Sequence, residues 1–420
     1  MKQILNKYLV CFLMFCAIFA PPFFSFNIMY ILCLFMGIKV LRECKGKILI
    51  KKRNNFYIYV LISIYILFVV FFNEIREPNI YLNNRMEFLY QFFILIPCQF
   101  LMSDFFWLKV KKMDNQYIKM KHFVFMACNI EGILVVLSYF FPVVRQCFLN
   151  IMLKNSGNTR YADMDFISYR AYGFADTLLD TFGYGMGLVV GLCILSKKIN
   201  KLEIITIILC TFSVILNSRT GLAIIIISVV MKLFSIVDGK KLKINVKTIL
   251  YLSILILVVY VFISSGYISD LTFSWIMGGF ESILDFVFRR NSNYTLGSMK
   301  NSMFTKDFWT LPNEVLAKIF GTGHSCFGTY KINGIASDVG YVNYIWAIGI
   351  LGTCVLMSFI AFLFINKIKN TCCRSEKINL LFLMISFYFM FIKGNIITYS
   401  AGTFITILFF MRKENSNVFN

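Results

Sequence analysis

Residues 342–365 read VNYIWAIGILGTCVLMSFIAFLFI, a run of 24 residues without a charged side chain. About 20 apolar residues are what an α-helix needs to cross the hydrocarbon core of a bilayer. Eleven further, predominantly apolar runs lie at about 8–24, 26–41, 56–72, 87–106, 123–141, 177–195, 202–216, 220–236, 249–265, 378–392 and 396–411. The sequence therefore predicts an all-α polytopic membrane protein with about twelve transmembrane helices.

The composition of the whole chain agrees with this prediction. Of 420 residues, 59% are hydrophobic and only 15% are charged, and the mean hydropathy is +0.73. A soluble fold of this length cannot bury so much apolar surface. A soluble enzyme, a secreted disulfide scaffold and a nucleic-acid-binding domain are excluded, and residues 1–420 are expected to form a single integral membrane domain.

The positive charges indicate the orientation of the chain. With twelve spans and a cytoplasmic N-terminus, the inside segments carry 28 of the 42 Lys and Arg residues, and the outside segments carry 14. Six of those 14 fall in the long segment 266–341, which hardly influences orientation, so the relevant ratio is 28 to 8. Both termini are therefore expected in the cytoplasm, and the net charge of +21 reflects topology rather than a nucleic-acid partner.

Two long loops are expected to face outwards, at 142–176 between spans five and six and at 266–341 between spans nine and ten. Acidic residues cluster in and around both loops, while the inside loops are short and basic. If the protein performs chemistry, we expect it on the outer face.

The stretch Asn217-Ser218-Arg219-Thr220-Gly221 lies between two apolar runs. Arg219 begins a span at its outer end, where the positive-inside rule and the helix dipole both disfavour a cation. Such a placement suggests an anionic partner. The alternative is an arginine that extends to a lipid phosphate, with Ser218 or Asn217 capping the helix.

Further candidates lie in the first outer loop. Arg160, Arg170 and Tyr172 precede span six, and Tyr172 belongs to the run Arg170–Asp176. Guanidinium groups bind phosphate oxygens and aromatic faces stack on sugar rings, so this pattern suits a sugar diphosphate. An ordinary polar loop with interfacial aromatic residues is the alternative.

The second outer loop holds the adjacent pair Arg289 and Arg290, then Gly321-Thr322-Gly323-His324, then Ser337-Asp338-Val339-Gly340-Tyr341. Asp338 and Tyr341 are three residues apart and share a face if the helix has begun, although Asp338 also suits a capping role. For His324, a plain loop residue is the alternative to a functional one. The chain has no P-loop, dinucleotide fingerprint or metal-ligand spacing, so no cofactor and no metal are expected.

Together, these features resemble the O-antigen and capsular polysaccharide polymerases of the Wzy type, which are related to O-antigen ligases. The resemblance rests on the span number, the two outer loops and a few short stretches: Arg170 to Gly173, Ser218 to Gly221, Gly321 to Gly323, Ser337 to Val342, and Gly349 to Gly352. The arginine–glycine spacings of some polymerases are not reproduced from Arg170 or Arg290. Where the ligase branch would favour a His-Asn pair, this chain has Ser337-Asp338.

The resemblance implies an architecture like that of GT-C glycosyltransferases and a metal-independent glycosyl transfer in the bacterial inner membrane. The substrates would be undecaprenyl-diphosphate-linked oligosaccharides, and the partners would be membrane lipids and a chain-length regulator protein. Asp338, then His324, would be the general base. The diphosphate and glycan would be bound by Arg219, Arg289, Arg290, Arg170, Arg160, Tyr172 and Tyr341. A ligase, a twelve-span flippase or other transporter, and a purely structural membrane protein are the alternatives.

Overall fold

The computed structural model describes residues 2–23, 28–43, 56–78, 81–111, 113–155, 170–171, 173–175, 179–197, 199–236, 309–324, 339–394, 397 and 400–412. Within these residues the long regular elements are all helices, and no strand occurs. In chain order they are α1 Lys2–Phe19, α2 Ile28–Glu43, α3 Phe56–Arg76, α4 Leu82–Tyr90, α5 Ile96–Val110, α6 Gln116–Phe140, α7 Pro142–Asn155, α8 Leu179–Ile194, α9 Lys201–Asn217, α10 Arg219–Ile236, α11 Val315–Phe320, α12 Gly340–Asn370, α13 Arg374–Lys393 and α14 Ala401–Phe410. A π-helical turn, Gln91–Leu95, joins α4 to α5.

Eleven of the twelve apolar runs coincide with these helices, and the run at 249–265 lies outside the described residues. Five helical segments are long and apolar enough to cross a membrane: Tyr59–Arg76, Leu82–Val110, Gln116–Phe140, Gly340–Asn370 and Arg374–Lys393. The prediction of an all-helical, membrane-embedded protein is confirmed to this extent.

Helix α3 presents a stripe of large apolar side chains to its surroundings. The exposed residues recur with helical spacing at Leu61, Ile64, Phe68, Phe71 and Ile75, and Ile75 is 82% exposed. In water such a stripe would cost free energy at every turn, whereas the hydrocarbon core of a bilayer accommodates it. The surface of α3 is therefore suited to lipid.

The predicted outer loops contain helices of their own. The first fourteen residues of the 142–176 loop form α7, which begins at Pro142. Proline suits the first position of a helix because its missing N–H would have no intrahelical acceptor there. In the 266–341 loop the described residues contain the short helix α11.

The chain divides into two compact units. The first comprises Met1–Leu32, Phe106–Met299 and Ser400–Ile405, and the second comprises Cys33–Phe105, Lys300–Tyr399 and Thr406–Asn420. Each unit is discontinuous in sequence. The single membrane domain over 1–420 stays a prediction.

In the first unit, α6, α8, α9 and α10 alternate in direction. Near the start of α6, the Lys121 ammonium donates to Ser196 Oγ, just beyond the end of α8, at 2.7 Å. Ser196 Oγ in turn donates to Glu203 near the start of α9, and Lys232 near the end of α10 donates to the Ser196 carbonyl. Two helix starts and two helix ends therefore meet here. Glu203 also completes a capping box with Asn200 that fixes the first turn of α9.

In the second unit, α12 packs against α3, α11 and α13. The Tyr341 hydroxyl donates to the Tyr388 carbonyl of α13 at 3.2 Å, and the Tyr344 hydroxyl donates to the Ile397 carbonyl at 3.2 Å. Both tyrosine rings also contact Phe391. The first turns of α12 are thus fixed by side chains that bond to backbone.

Candidate functional site

The junction of α9 and α10 is the centre of the candidate site in the first unit. Helix α9 ends at Asn217, Ser218 is extended with φ −154°, and α10 begins at Arg219. The Ser218 and Thr220 hydroxyls share a hydrogen bond of 2.7 Å, and Gly221 N donates to Ser218 Oγ at 3.4 Å. Ser218 therefore caps α10, as the structural alternative in the sequence analysis predicted. Arg219 is described only as the first residue of this helix.

Glycines allow α8 to lie directly against this junction. A Cβ on Gly183 would overlap the Ser218 side chain, and a Cβ on Gly187 would lie 2.8 Å from the Gly221 carbonyl oxygen. A Cβ on Gly221 would in turn lie 2.7 Å from the Gly183 carbonyl oxygen. Backbone therefore contacts backbone here, as at other small-residue helix contacts in membranes.

The arginine-bearing segment before α8 is hydrogen bonded to the same junction. Asn217 Nδ2 donates to the Ala171 carbonyl at 2.6 Å and to the Ser213 carbonyl at 2.9 Å. Arg145 on α7 donates from Nη2 to the Arg170 carbonyl at 2.8 Å. The Arg170–Gly173 stretch thus contacts Asn217, the residue just before the Ser218–Gly221 stretch, at one end of the helical packing.

This segment continues into the helical packing. Phe174 N donates to both carboxylate oxygens of Glu131, at 3.0 and 3.2 Å, and Glu131 is fully buried. Glu131 lies nine residues before the end of α6 at Phe140, about 13 Å along the helix axis. The outer loop predicted at 142–176 therefore includes, in Gly173 and Phe174, backbone that reaches the middle of a membrane-length helix.

Positive charge accumulates beside this segment. Arg145 and Arg170 are both partly buried, and their backbone contact brings two arginines together. Burial lowers the pKa of Arg145 below its ordinary value, because desolvation disfavours the charged guanidinium. A bound anion would have the opposite effect on this pKa. The Arg145 guanidinium is therefore partly buried against the backbone of Arg170.

A second candidate region lies in the second unit, where α12 is broken. Gly349 has φ 72°, which interrupts the helix and frees carbonyl oxygens in the turn before it. The carbonyl oxygens of the three residues before Gly349 accept hydrogen bonds from donors outside the helix. Trp346 O accepts from Thr322 N at 2.7 Å, Ala347 O from Gly323 N at 3.0 Å, and Ile348 O from the Tyr65 hydroxyl at 2.9 Å.

Glycine is required at this break. A Cβ on Gly349 would overlap the Ile319 carbonyl oxygen, and a Cβ on Gly321 would lie 2.5 Å from the Ala347 carbonyl oxygen. Tyr65 lies eleven residues before the end of α3 at Arg76, about 16 Å along its axis. The Gly321–Gly323 and Gly349–Gly352 stretches thus meet well inside the second unit.

No protein-family model matches the chain. No curated protein matches it either.

His324 follows the Gly-Thr-Gly stretch and is only 1% exposed. Its ring lies 4.3 Å from that of Tyr81, centroid to centroid. The Arg85 guanidinium lies 5.9 Å from the Tyr81 ring centroid and is bonded to Glu74 at 2.5 Å. His324 is therefore part of a packed aromatic and ionic cluster, rather than an exposed loop residue.

The remaining predicted site residues are divided between the two units or lie outside the described residues. Tyr341 is half-buried, and its hydroxyl and ring are used in packing α12 on α13. Arg170 and the backbone of Arg219 belong to the first unit, whereas His324 and Tyr341 belong to the second. Five predicted residues lie outside the described part of the chain: Arg160, Tyr172, Arg289, Arg290 and Asp338.

Three residues in these regions were missed by the sequence analysis as site candidates. The sequence did contain a signal for Glu131, because this residue is the main charge at the centre of a predicted span. Arg145 and Arg85 were counted only for the charge balance of the loops. Among the described residues, no group of three or more His, Cys, Asp or Glu side chains is placed to hold a metal ion.

Proposed function

We propose that this protein is a polymerase that joins undecaprenyl-diphosphate-linked oligosaccharide repeat units into O-antigen or capsular polysaccharide. It would act on the outer face of the bacterial inner membrane, with twelve spans, a GT-C-like architecture and both termini in the cytoplasm. A chain-length regulator protein is a partner under this proposal. No metal and no nucleotide take part.

The observation that carries the proposal is the hydrogen bond from Asn217 to Ala171. It joins the Arg170–Gly173 stretch to the residue just before the Ser218–Gly221 stretch; the Wzy resemblance rests on both stretches, and each contains an arginine. The backbone contact of Arg145 with Arg170 adds a third cation to the same end of the unit. Arginine suits a diphosphate, because its guanidinium offers several N–H donors in a fixed plane.

In the proposed reaction, a hydroxyl oxygen of the acceptor unit attacks the anomeric carbon of the donor glycan. A new C–O bond forms, the bond from this carbon to the diphosphate oxygen breaks, and undecaprenyl diphosphate leaves with the electron pair. Arginines close to the departing oxygen would stabilise its developing charge. Arg219 and Arg170 are the first candidates, followed by Arg289, Arg290 and Arg160, while Tyr172 would contact the glycan.

A general base must accept the proton of the attacking hydroxyl. The burial of His324 against Tyr81 favours Asp338 over His324 for this role.

The main alternatives are a ligase and a flippase or other transporter. A transporter often carries an ionisable group near the middle of the membrane, and Glu131 has such a position. Both of its carboxylate oxygens accept the Phe174 N–H, which favours a structural use of this carboxylate. The alternatives differ from a polymerase in what accumulates when the protein is absent.

The test is the length of the surface polysaccharide in cells that lack the gene and are complemented with variants. A polymerase predicts a glycan truncated at one repeat unit on its normal carrier, restored by the wild type and not by Arg219→Ala. Arg76→Ala is the matched control, because Arg76 is an exposed arginine paired with Glu314 outside the implicated stretches. It should restore full length.

Other outcomes contradict the proposal. Total loss of surface glycan, with accumulation of lipid-linked units, would indicate a flippase or a ligase. Unchanged glycan in cells without the gene would exclude all three functions. Full-length glycan with Arg219→Ala would remove Arg219 from the site.

A further inference from the structure

The contact between Glu131 and Phe174 joins the middle of α6 to the segment that carries Arg170. Phe174 N is the donor to both oxygens of the carboxylate. The described residues Ala171, Gly173, Phe174 and Ala175 are all buried. A non-helical backbone at this depth must have its polar groups bonded within the protein, because lipid offers no partner.

The position next to Phe174 is shaped for this carboxylate. A Cβ on Gly173 would overlap Glu131 Oε1, so glycine lets the backbone lie directly on the side chain. Phe174 also packs its ring against Phe148 of α7 and Phe23, at centroid distances of 5.4 and 5.2 Å. At Phe174 the segment is thus fixed by a polar contact to Glu131 and by aromatic packing.

Three backbone attachments lie at Arg170 and just after it. Its own carbonyl accepts from Arg145, the next carbonyl accepts from Asn217, and Phe174 N is bonded to Glu131. An arginine whose own carbonyl and following backbone are fixed can bind a diphosphate at a lower entropic cost.

We propose that Glu131 is a positioning residue: its carboxylate holds the segment 170–175 in the helical packing, so that Arg170 is presented beside the start of α10. This inference rests on the proposed function for the role of Arg170. The attachment itself is independent of that function.

The attachment is tested by the chemical accessibility of Ala175, which is fully buried. The full-length chain carrying Ala175→Cys is purified and treated with a water-soluble maleimide. Labelling at position 175 is then measured by peptide mass spectrometry. We expect at least a tenfold increase in labelling when Glu131→Ala is added. Glu131→Gln keeps an oxygen acceptor for Phe174 N and should leave the position protected.

Glu203→Ala is the matched control. Glu203 is also a buried carboxylate of this unit, but it contacts Lys121 and Ser196 at the opposite helix ends. Glu203→Ala should therefore leave position 175 protected from the maleimide. Gly173→Ala perturbs the same contact from the other side and should increase labelling, which keeps the test valid if Glu131→Ala fails to accumulate.

The consequence for function is measured as glycan length in complemented cells. Glu131→Ala and Gly173→Ala should shorten the glycan, and Glu131→Gln should preserve it. The attachment would be overturned if position 175 stayed protected in Glu131→Ala, or if Glu203→Ala increased its labelling as much as Glu131→Ala does. Increased labelling with full-length glycan would overturn the positioning role while the polymerase proposal stands. Unchanged glycan in cells without the gene would instead be a failure of the proposed function.

Discussion

The Tyr65 hydroxyl on α3 donates to the carbonyl oxygen of Ile348 at 2.9 Å, one residue before α12 is broken at Gly349. A carbonyl that loses its helical partner inside a membrane protein needs a substitute donor. The same hydroxyl lies 3.3 Å from the Phe320 carbonyl at the end of α11. Tyr65 thus joins three helices at the break.

Removal of this hydroxyl should destabilise the second unit. Tyr65→Phe leaves the Ile348 carbonyl without its donor, and we expect a loss of about 1 kcal/mol in the free energy of unfolding. The corresponding drop in the thermal midpoint is measured by fluorescence-detected size exclusion. Tyr8→Phe is the control, because Tyr8 is 65% exposed. Equal midpoints for the two variants would contradict the prediction.

Gly349→Ala should reduce the amount of folded protein far more than Tyr65→Phe does. An alanine there would adopt φ 72° and overlap the Ile319 carbonyl oxygen, so α11 and α12 must separate. We expect little folded protein. Gly37→Ala is the matched control, since a Cβ on Gly37 meets nothing within 4 Å. It should be neutral or stabilising by up to about 1 kcal/mol. Normal yield of Gly349→Ala would show that the break can relax.

The ion pair between Lys121 and Glu203 should show strong coupling. Their charged atoms are 3.7 Å apart and both side chains are buried. Loss of Glu203 alone leaves a buried ammonium, and we expect a cost of about 3 kcal/mol for Glu203→Leu. The double variant Lys121→Met with Glu203→Leu should be more stable than the sum of the single effects predicts. Unfolding in mixed micelles with increasing SDS measures this cycle, and additive effects would contradict the coupling.

Two arginines of the second unit should respond differently to the same change. Arg85 is 1% exposed and bonds to Glu74 and to the Glu77 carbonyl, so Arg85→Met should cost about 3 kcal/mol. Arg76 is an exposed partner of Glu314, and Arg76→Met should leave stability nearly unchanged. Thermal midpoints of the two variants, measured side by side, test the difference. Similar midpoints would mean that Arg85 is not fixed as described.

Asn217 should affect product length if the proposed function is correct. Asn217→Asp replaces the donor to Ala171 with a carboxylate that faces two carbonyl oxygens, so it should shorten the glycan more than Asn217→Ala. Asn150→Asp, on the exposed surface of α7, is the control. Gel analysis of surface glycan gives the order. The reverse order would argue against an attachment of segment 170–175 by Asn217.

Much of the fold follows from local sequence. A long run of apolar residues favours a membrane helix, so α3 and α12 were predictable to within about five residues at each end, whereas α6 begins seven residues before its predicted start. The junction at Ser218 was also predictable, because a short polar stretch between two apolar runs must end one helix and begin another. The functional role of Arg219 remains a prediction.

The two contacts that organise the candidate regions were not predictable in this way. Glu131 and Phe174 are 43 residues apart, and the donor is a backbone N–H that almost any residue would offer. The break at Gly349 lies within an uninterrupted apolar run, and its positive φ leaves no trace in hydropathy. Both depend on which segments pack together, and periodicity within one helix carries no information about that.

The close approach of α8 to α10 has a consequence for how relatives of this protein can diverge. Any residue larger than glycine at 183 or 187 would separate two backbones that are in direct contact. Distant relatives are therefore expected to keep small residues at these positions, and at the partner position of Gly221, after their loops have become unrecognisable.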